Sequence, residues 1–195
     1  EKFPGLTTPD ESYHGVTYAK EFGKAAYITK ATAQLMRDFG SVPAPISSWI
    51  MGMHMESLGV RMERHCANAL AVARWLDADS RISWVSYPGL EGDKYHALAE
   101  KYMPNGTCGV ISFGVPGGRE KVSAFLDHLK MVSIATHVAD ARSCTLYPAG
   151  TTHRQLTDEQ LEEAGVGIDL VRLSCGIENA ADIIADLDQA LASIQ

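Results

Sequence analysis

Arg172 sits in a short apolar, β-prone run, Asp169-Leu170-Val171-Arg172-Leu173-Ser174, followed by Cys175-Gly176-Ile177-Glu178, a glycine turn and an acidic helix start. An arginine so placed must find an anion, because an unpaired buried charge costs several kcal/mol. Its planar fork meets a carboxylate through two parallel hydrogen bonds, which lysine's point charge does not do. That anion is either a structural aspartate or glutamate or the carboxylate of a small ligand, and the residues alone leave both open. A second stretch, Asp140-Ala141-Arg142-Ser143-Cys144-Thr145-Leu146-Tyr147-Pro148-Ala149-Gly150-Thr151-Thr152-His153, is dense in small donors. Ser143, Thr151 and Thr152 can hydrogen-bond an anion there, with a solvated loop as the alternative.

Other candidates are weaker. Phe113-Gly114-Val115-Pro116-Gly117-Gly118-Arg119-Glu120 puts glycines between a strand and a helix, a place where phosphates bind helix N-termini. Its spacing matches neither a P-loop nor a dinucleotide fingerprint, so it reads as a plain turn. His14, His54, His65, His96, His128, His137 and His153 are scattered, and His54 and His65 lack the i, i+4 spacing of a helical metal pair. No metal site is expected. Cys144 lacks a histidine partner at an interpretable spacing, and Lys30, although preceded by Thr29, reads as a surface lysine.

The elements that carry these residues change character along the chain. Residues 1–24 read as loop, with a short strand at 25–28 and a helix at 31–39 closed by Gly40. From Ser47 to about Leu76 the pattern is one long helix, with Met51, Met55, Leu58 and Met62 on a stripe expected to be core. Strands are expected at 82–87, 109–115, 133–138, 144–146 and 170–174. Helices alternate with them at 93–102, 119–129, 157–164 and from Asn179 to the end. Thr157 with Gln160 forms a capping box, and Asn179 caps the last helix, whose inner face is Ile183, Ile184, Leu187, Leu191 and Ile194. Strand–helix alternation over residues 80–195 predicts an α/β layer, a sheet covered by helices, preceded by a long linking helix.

Composition narrows the partners. The chain has 195 residues, 46% of them hydrophobic, and a net charge of −7 without any Lys/Arg-rich run, which argues against nucleic acid and anionic membranes. No apolar run reaches membrane-spanning length, and no signal peptide is recognisable. Cys66, Cys108, Cys144 and Cys175 are far apart and read as reduced cytosolic thiols. The opening Glu1-Lys2-Phe3-Pro4-Gly5-Leu6 lacks an initiator methionine, and the chain is expected to be part of something longer.

The Ala141–His153 run, the Leu170–Glu178 run and Arg61-Met62-Glu63-Arg64-His65 together resemble the Cys/Met-metabolism family of pyridoxal-phosphate enzymes. The opening Phe3-Pro4-Gly5-Leu6-Thr7, with Pro9-Asp10 and Ser12-Tyr13-His14-Gly15, is similar to its O-acetylhomoserine sulfhydrylase branch. The likeness covers essentially the whole chain in the family's order. It implies the C-terminal part of a fold type I enzyme, residues 1–76 being the end of the large domain with its linking helix and residues 77–195 the small domain. Two positions depart from the family's pattern: His54 replaces a usual glycine, and Cys175 a usual valine.

The resemblance also implies a function. Arg172 matches the arginine that grips the substrate α-carboxylate, Ser143 a serine that helps hold it, and Thr152 a threonine near the cofactor-lysine side of the pocket. The family's cofactor lysine lies in a Ser-x-Thr-Lys context that this sequence does not contain, so the chain alone is expected to be inactive, with no catalytic residue of its own. The implied reaction is a pyridoxal-phosphate-dependent replacement at the γ-carbon of O-acetylhomoserine, acetate leaving and sulfide or a thiol adding to give homocysteine or methionine. The implied setting is a cytoplasmic homo-oligomer. Cystathionine γ-synthase, methionine γ-lyase and a non-catalytic amino-acid-binding module are the alternatives.

Overall fold

The computed structural model of the chain describes residues 2–194. They form two compact units, divided between Met55 and Glu56. In the first, short helical pieces follow one another: α1 (Pro4–Thr7), α2 (Tyr18–Phe22), α3 (Ala26–Lys30), α4 (Arg37–Phe39) and α5 (Pro45–Glu56), with a π-helical turn at Ala31–Met36 between α3 and α4. The segment expected as loop is therefore largely wound. The strand expected at 25–28 is helix, because the alanines around Tyr27-Ile28 run directly into the helix-forming Ala31–Met36. Gly40 closes the run at φ 66°, a left-handed C-cap that glycine adopts without strain. Tyr18, 1% exposed, is the buried anchor of this unit, and its hydroxyl donates to Gln34 Oε1 at 3.0 Å.

The second unit opens with α6 (Leu58–Ala78), and Ser57 interrupts what the sequence read as a single helix. Met51, Met55 and Leu58 are 60%, 64% and 43% exposed and only Met62 is half-buried, so the stripe as a whole is not core. Five strands follow: β1 (Trp84–Ser86), β2 (Val110–Gly114), β3 (Ser133–Ile134), β4 (Cys144–Leu146) and β5 (Leu170–Ser174). They form one sheet in the order β1-β2-β5-β4-β3, antiparallel except for the parallel β3–β4 pair at one edge. The helices are α7 (His96–Tyr102), α8 (Gly118–Asp127), α9 (Asp158–Glu163) and α10 (Ala180–Ala192).

Pleating decides which strand residues meet the helices. Ile111 and Phe113 of β2 pair with Leu173 and Val171 of β5, and all four are fully buried. They pack with Val72 and Leu76 of α6, Phe125 of α8, and Ile183, Leu187 and Leu191 of α10. Phe113 and Phe125 meet edge to face, with centroids 6.2 Å apart. The capping box at Thr157/Gln160 and the Asn179 cap are both formed, the latter through Asn179 Oδ1 accepting from the Ala181 amide at 3.1 Å.

Candidate functional site

Arg172 occupies the middle of β5, on the face opposite the helices. Its neighbours Val171 and Leu173 point into the core, so alternation turns the guanidinium the other way. Across the ladder it is paired with Ser112 of β2 and Leu146 of β4. Nη2 donates to the Thr136 carbonyl at 2.8 Å, while Nε is buried and has no partner. Among the described residues no carboxylate pairs with Arg172. The anion that its placement calls for is thus not supplied by an Asp or Glu side chain among the described residues. A buried N–H left without an acceptor costs about 1–3 kcal/mol, more on a charged group.

Ser143 lies elsewhere. It precedes Cys144, and Cys144 shares the Arg172 face through its pairing with Ser174. Pleating therefore sends Ser143 to the opposite side, where it is fully buried. Its hydroxyl donates to Glu178 Oε2 at 3.0 Å and accepts from the Gly176 amide at 2.9 Å, while its own amide donates to Glu178 Oε1 at 2.6 Å. Asn68 of α6 completes this cluster by donating to the carbonyls of Gly176 and Glu178 at 2.9 and 2.7 Å. Gly176 is required by space, since a Cβ there would stand 2.4 Å from the Ala141 carbonyl oxygen and 2.5 Å from the Ser143 nitrogen. The cluster pins the turn that leaves β5. Thr152 is exposed after the turn at Pro148–Gly150, with its hydroxyl 2.9 Å from His153 Nδ1.

Sequence reasoning missed this cluster. Glu178 read only as an acidic helix start, and Asn68, like His65 whose Nδ1 lies 2.7 Å from the Cys175 carbonyl, is on a helix more than a hundred residues upstream. A polar residue on the apolar stripe of α6 was the available signal. Cys175 is in the core, and burial pushes its thiol up to about 12, so it packs as the small hydrophobe that usually stands there. Lys30 donates to Asp10 Oδ2 at 2.6 Å, and this ammonium holds the Asp10 carboxyl well below the usual carboxylate range. A cavity of about 490 Å³ lined by Cys66, Leu70, Tyr87, His96 and Met103 includes none of Arg172, Ser143 and Thr152.

Comparison with known proteins gives this geometry its context. The family model described as Cys/Met metabolism PLP-dependent enzyme matches residues 14–192. An O-acetyl-L-homoserine sulfhydrylase of Leptospira meyeri is 43% identical over 99% of the chain and 46% of its own length. A homocysteine synthase of Schizosaccharomyces pombe is 42% identical over 98% of the chain and 44% of its own length. A crystal structure from Campylobacter jejuni, assigned as an O-acetylhomoserine (thiol)-lyase and containing a pyridoxyl-lysine phosphate, superposes with a TM-score of 0.84. It is 36% identical, over 97% of this chain and 45% of that one. The chain thus spans about half the length of the curated relatives it matches. The family model and the superposition cover nearly the same span, and the chain belongs to the Cys/Met-metabolism family of pyridoxal-phosphate-dependent enzymes.

Proposed function

We propose that this chain provides the substrate-carboxylate side of an O-acetylhomoserine sulfhydrylase, residues 77–195 answering to that enzyme's small C-terminal domain. The observation that carries the proposal is Arg172: a guanidinium fixed by one carbonyl, with a buried, unpartnered Nε and, among the described residues, no carboxylate paired with it. The residues present fit one end of an amino acid held by pyridoxal phosphate, its carboxylate. When bound, that cofactor supplies the electron sink for replacement of the γ-acetate by sulfide or a thiol.

The chain's own part is orientation. Thr136 fixes one Nη of Arg172, and the rigid fork fixes the plane in which a carboxylate docks. Holding that end sets the rotation of the substrate about its Cα bonds, a positioning effect that can be large. Ser143, closed off by Glu178 and Gly176, acts from behind by holding the turn after β5, and Thr152 offers an exposed hydroxyl for the substrate's side of the pocket. We place the enzyme in the cytoplasm as a homo-oligomer, acting on free O-acetylhomoserine. Assay of the complete enzyme with O-acetylhomoserine, sulfide competing against cysteine, tests the reading. Homocysteine as the main product supports it; cystathionine as the main product, or no turnover of this ester, overturns it.

A further inference from the structure

The ten-residue span from β3 to β4 gathers three donors that sequence spacing did not bring together. Ala139 takes a left-handed conformation, φ 57°, and the chain doubles back so that His137 and Asp140 lie over Cys144, the first residue of β4. One ligand atom from each, an imidazole nitrogen, a carboxylate oxygen and the cysteine sulfur, all lie within 4.8 Å of one another. His137 Nδ1 and Asp140 Oδ2 are 3.5 Å apart, long for a hydrogen bond. A tetrahedral metal with bonds of about 2.0–2.3 Å separates its ligand atoms by roughly 3.3–3.8 Å, a spacing the His137–Asp140 pair already has and the sulfur reaches by closing in by at most about 1 Å.

The protein's own contacts leave these donors available. Asp140 Oδ1 accepts the Arg142 amide at 3.0 Å, which leaves Oδ2 turned toward His137. Asp140 Oδ1 also faces Arg142 Nε at 3.6 Å, so Oδ2 is the oxygen left to the group. Among the described residues the Cys144 sulfur hydrogen-bonds only to the Arg142 carbonyl, at 3.5 Å. The inner end of the group is dry, Cys144 being 1% exposed, whereas the His137 side chain is 61% exposed. Nitrogen, oxygen and sulfur donors in one set suit a borderline, thiophilic divalent ion, not magnesium or calcium.

We propose that His137, Asp140 and Cys144 form a binding site for a divalent cation of the zinc class, with a fourth coordination position open to solvent. On binding, the metal–sulfur bond replaces the S–H bond and the proton leaves to water. The site shares the sheet face of Arg172, and the loop that forms it carries Thr136, whose carbonyl fixes the guanidinium.

Titration of the metal-free 195-residue chain with cobalt(II) tests this. One equivalent is expected to bind, with a sulfur-to-cobalt charge-transfer band and intense tetrahedral visible bands that zinc abolishes. Cys144→Ser is expected to remove the charge-transfer band, and His137→Ala, at an exposed side chain, to weaken binding at least tenfold. Absence of the band in the unmodified chain overturns the proposal, as does its persistence in Cys144→Ser. Should circular dichroism show that Cys144→Ser does not fold, His137→Ala decides, and unchanged cobalt affinity in that variant overturns the site.

Discussion

At the scale of single residues, the family likeness groups Arg172 with Ser143, and the pleat puts them on opposite faces. Both lie at or beside neighbouring strands, which is what sequence shows; which face each one takes depends on strand register, which sequence does not show. The arginine was legible because a charge in an apolar strand demands an anion. The absence of a protein anion could be known only from the three-dimensional neighbourhood. The two positions are expected to respond differently in the complete enzyme. Arg172→Ala is expected to raise KM for O-acetylhomoserine by a factor corresponding to about 2 kcal/mol, roughly thirtyfold, with Arg172→Lys failing to restore it. Ser143→Ala is expected to leave KM near its original value and to lower the melting temperature instead, because Glu178 and the Gly176 amide lose a buried partner worth about 1–3 kcal/mol. Steady-state kinetics beside thermal melts separate the two outcomes.

At the scale of elements, the second unit was readable, whereas in the first only the helical run closed by Gly40 was. The strands of the sheet and α8 to α10 carry a clear apolar pattern, and α9 and α10 begin at side-chain caps, so local preference and burial agree. Around Tyr27-Ile28 they disagree, and a short β-like run was absorbed into helix by its alanine-rich flanks. The methionine stripe failed for another reason: helical spacing reports which residues share a face, not whether anything covers it. Between elements, Asp186 of α10 joins the turn before β3 through its carboxylate, which accepts from the amides of Lys130, Met131 and Val132 at 2.9, 2.9 and 2.8 Å. Burial raises its pKa, but the three amides outweigh that and hold it below the ordinary value. A depressed folded-state pKa means stability is present above the unfolded value near 4 and is lost as pH falls through the folded one. Thermal melts of the chain between pH 6 and pH 2 are expected to show this loss, and Asp186→Asn is expected to flatten the acid limb while lowering stability at neutral pH.

At the scale of the molecule, the fold followed from alternation and the family likeness, while the extent of apolar surface did not. On α5, Trp49, Met51 and Met55 are 60% or more exposed, and Ile46 nearly so, a concentration that mixed soluble surfaces seldom carry. Self-association of the isolated chain, read by analytical ultracentrifugation across a concentration series, is the expected consequence. Added pyridoxal phosphate is expected to give no stoichiometric visible band reducible by borohydride, since the chain contains no Ser-x-Thr-Lys segment. A stoichiometric, reducible band would show a cofactor lysine within this sequence and displace the half-site reading.

The two edges of the sheet bear on how such association proceeds. One border is β1, three residues long, and the other is β3, only two. Borders this short offer little ladder for a foreign strand to extend, which is how natural sheets guard against templated fibre growth. Copies of this chain that meet are expected to do so through side chains, as discrete closed assemblies, and to remain poor seeds for amyloid even where their oily helices stay uncovered.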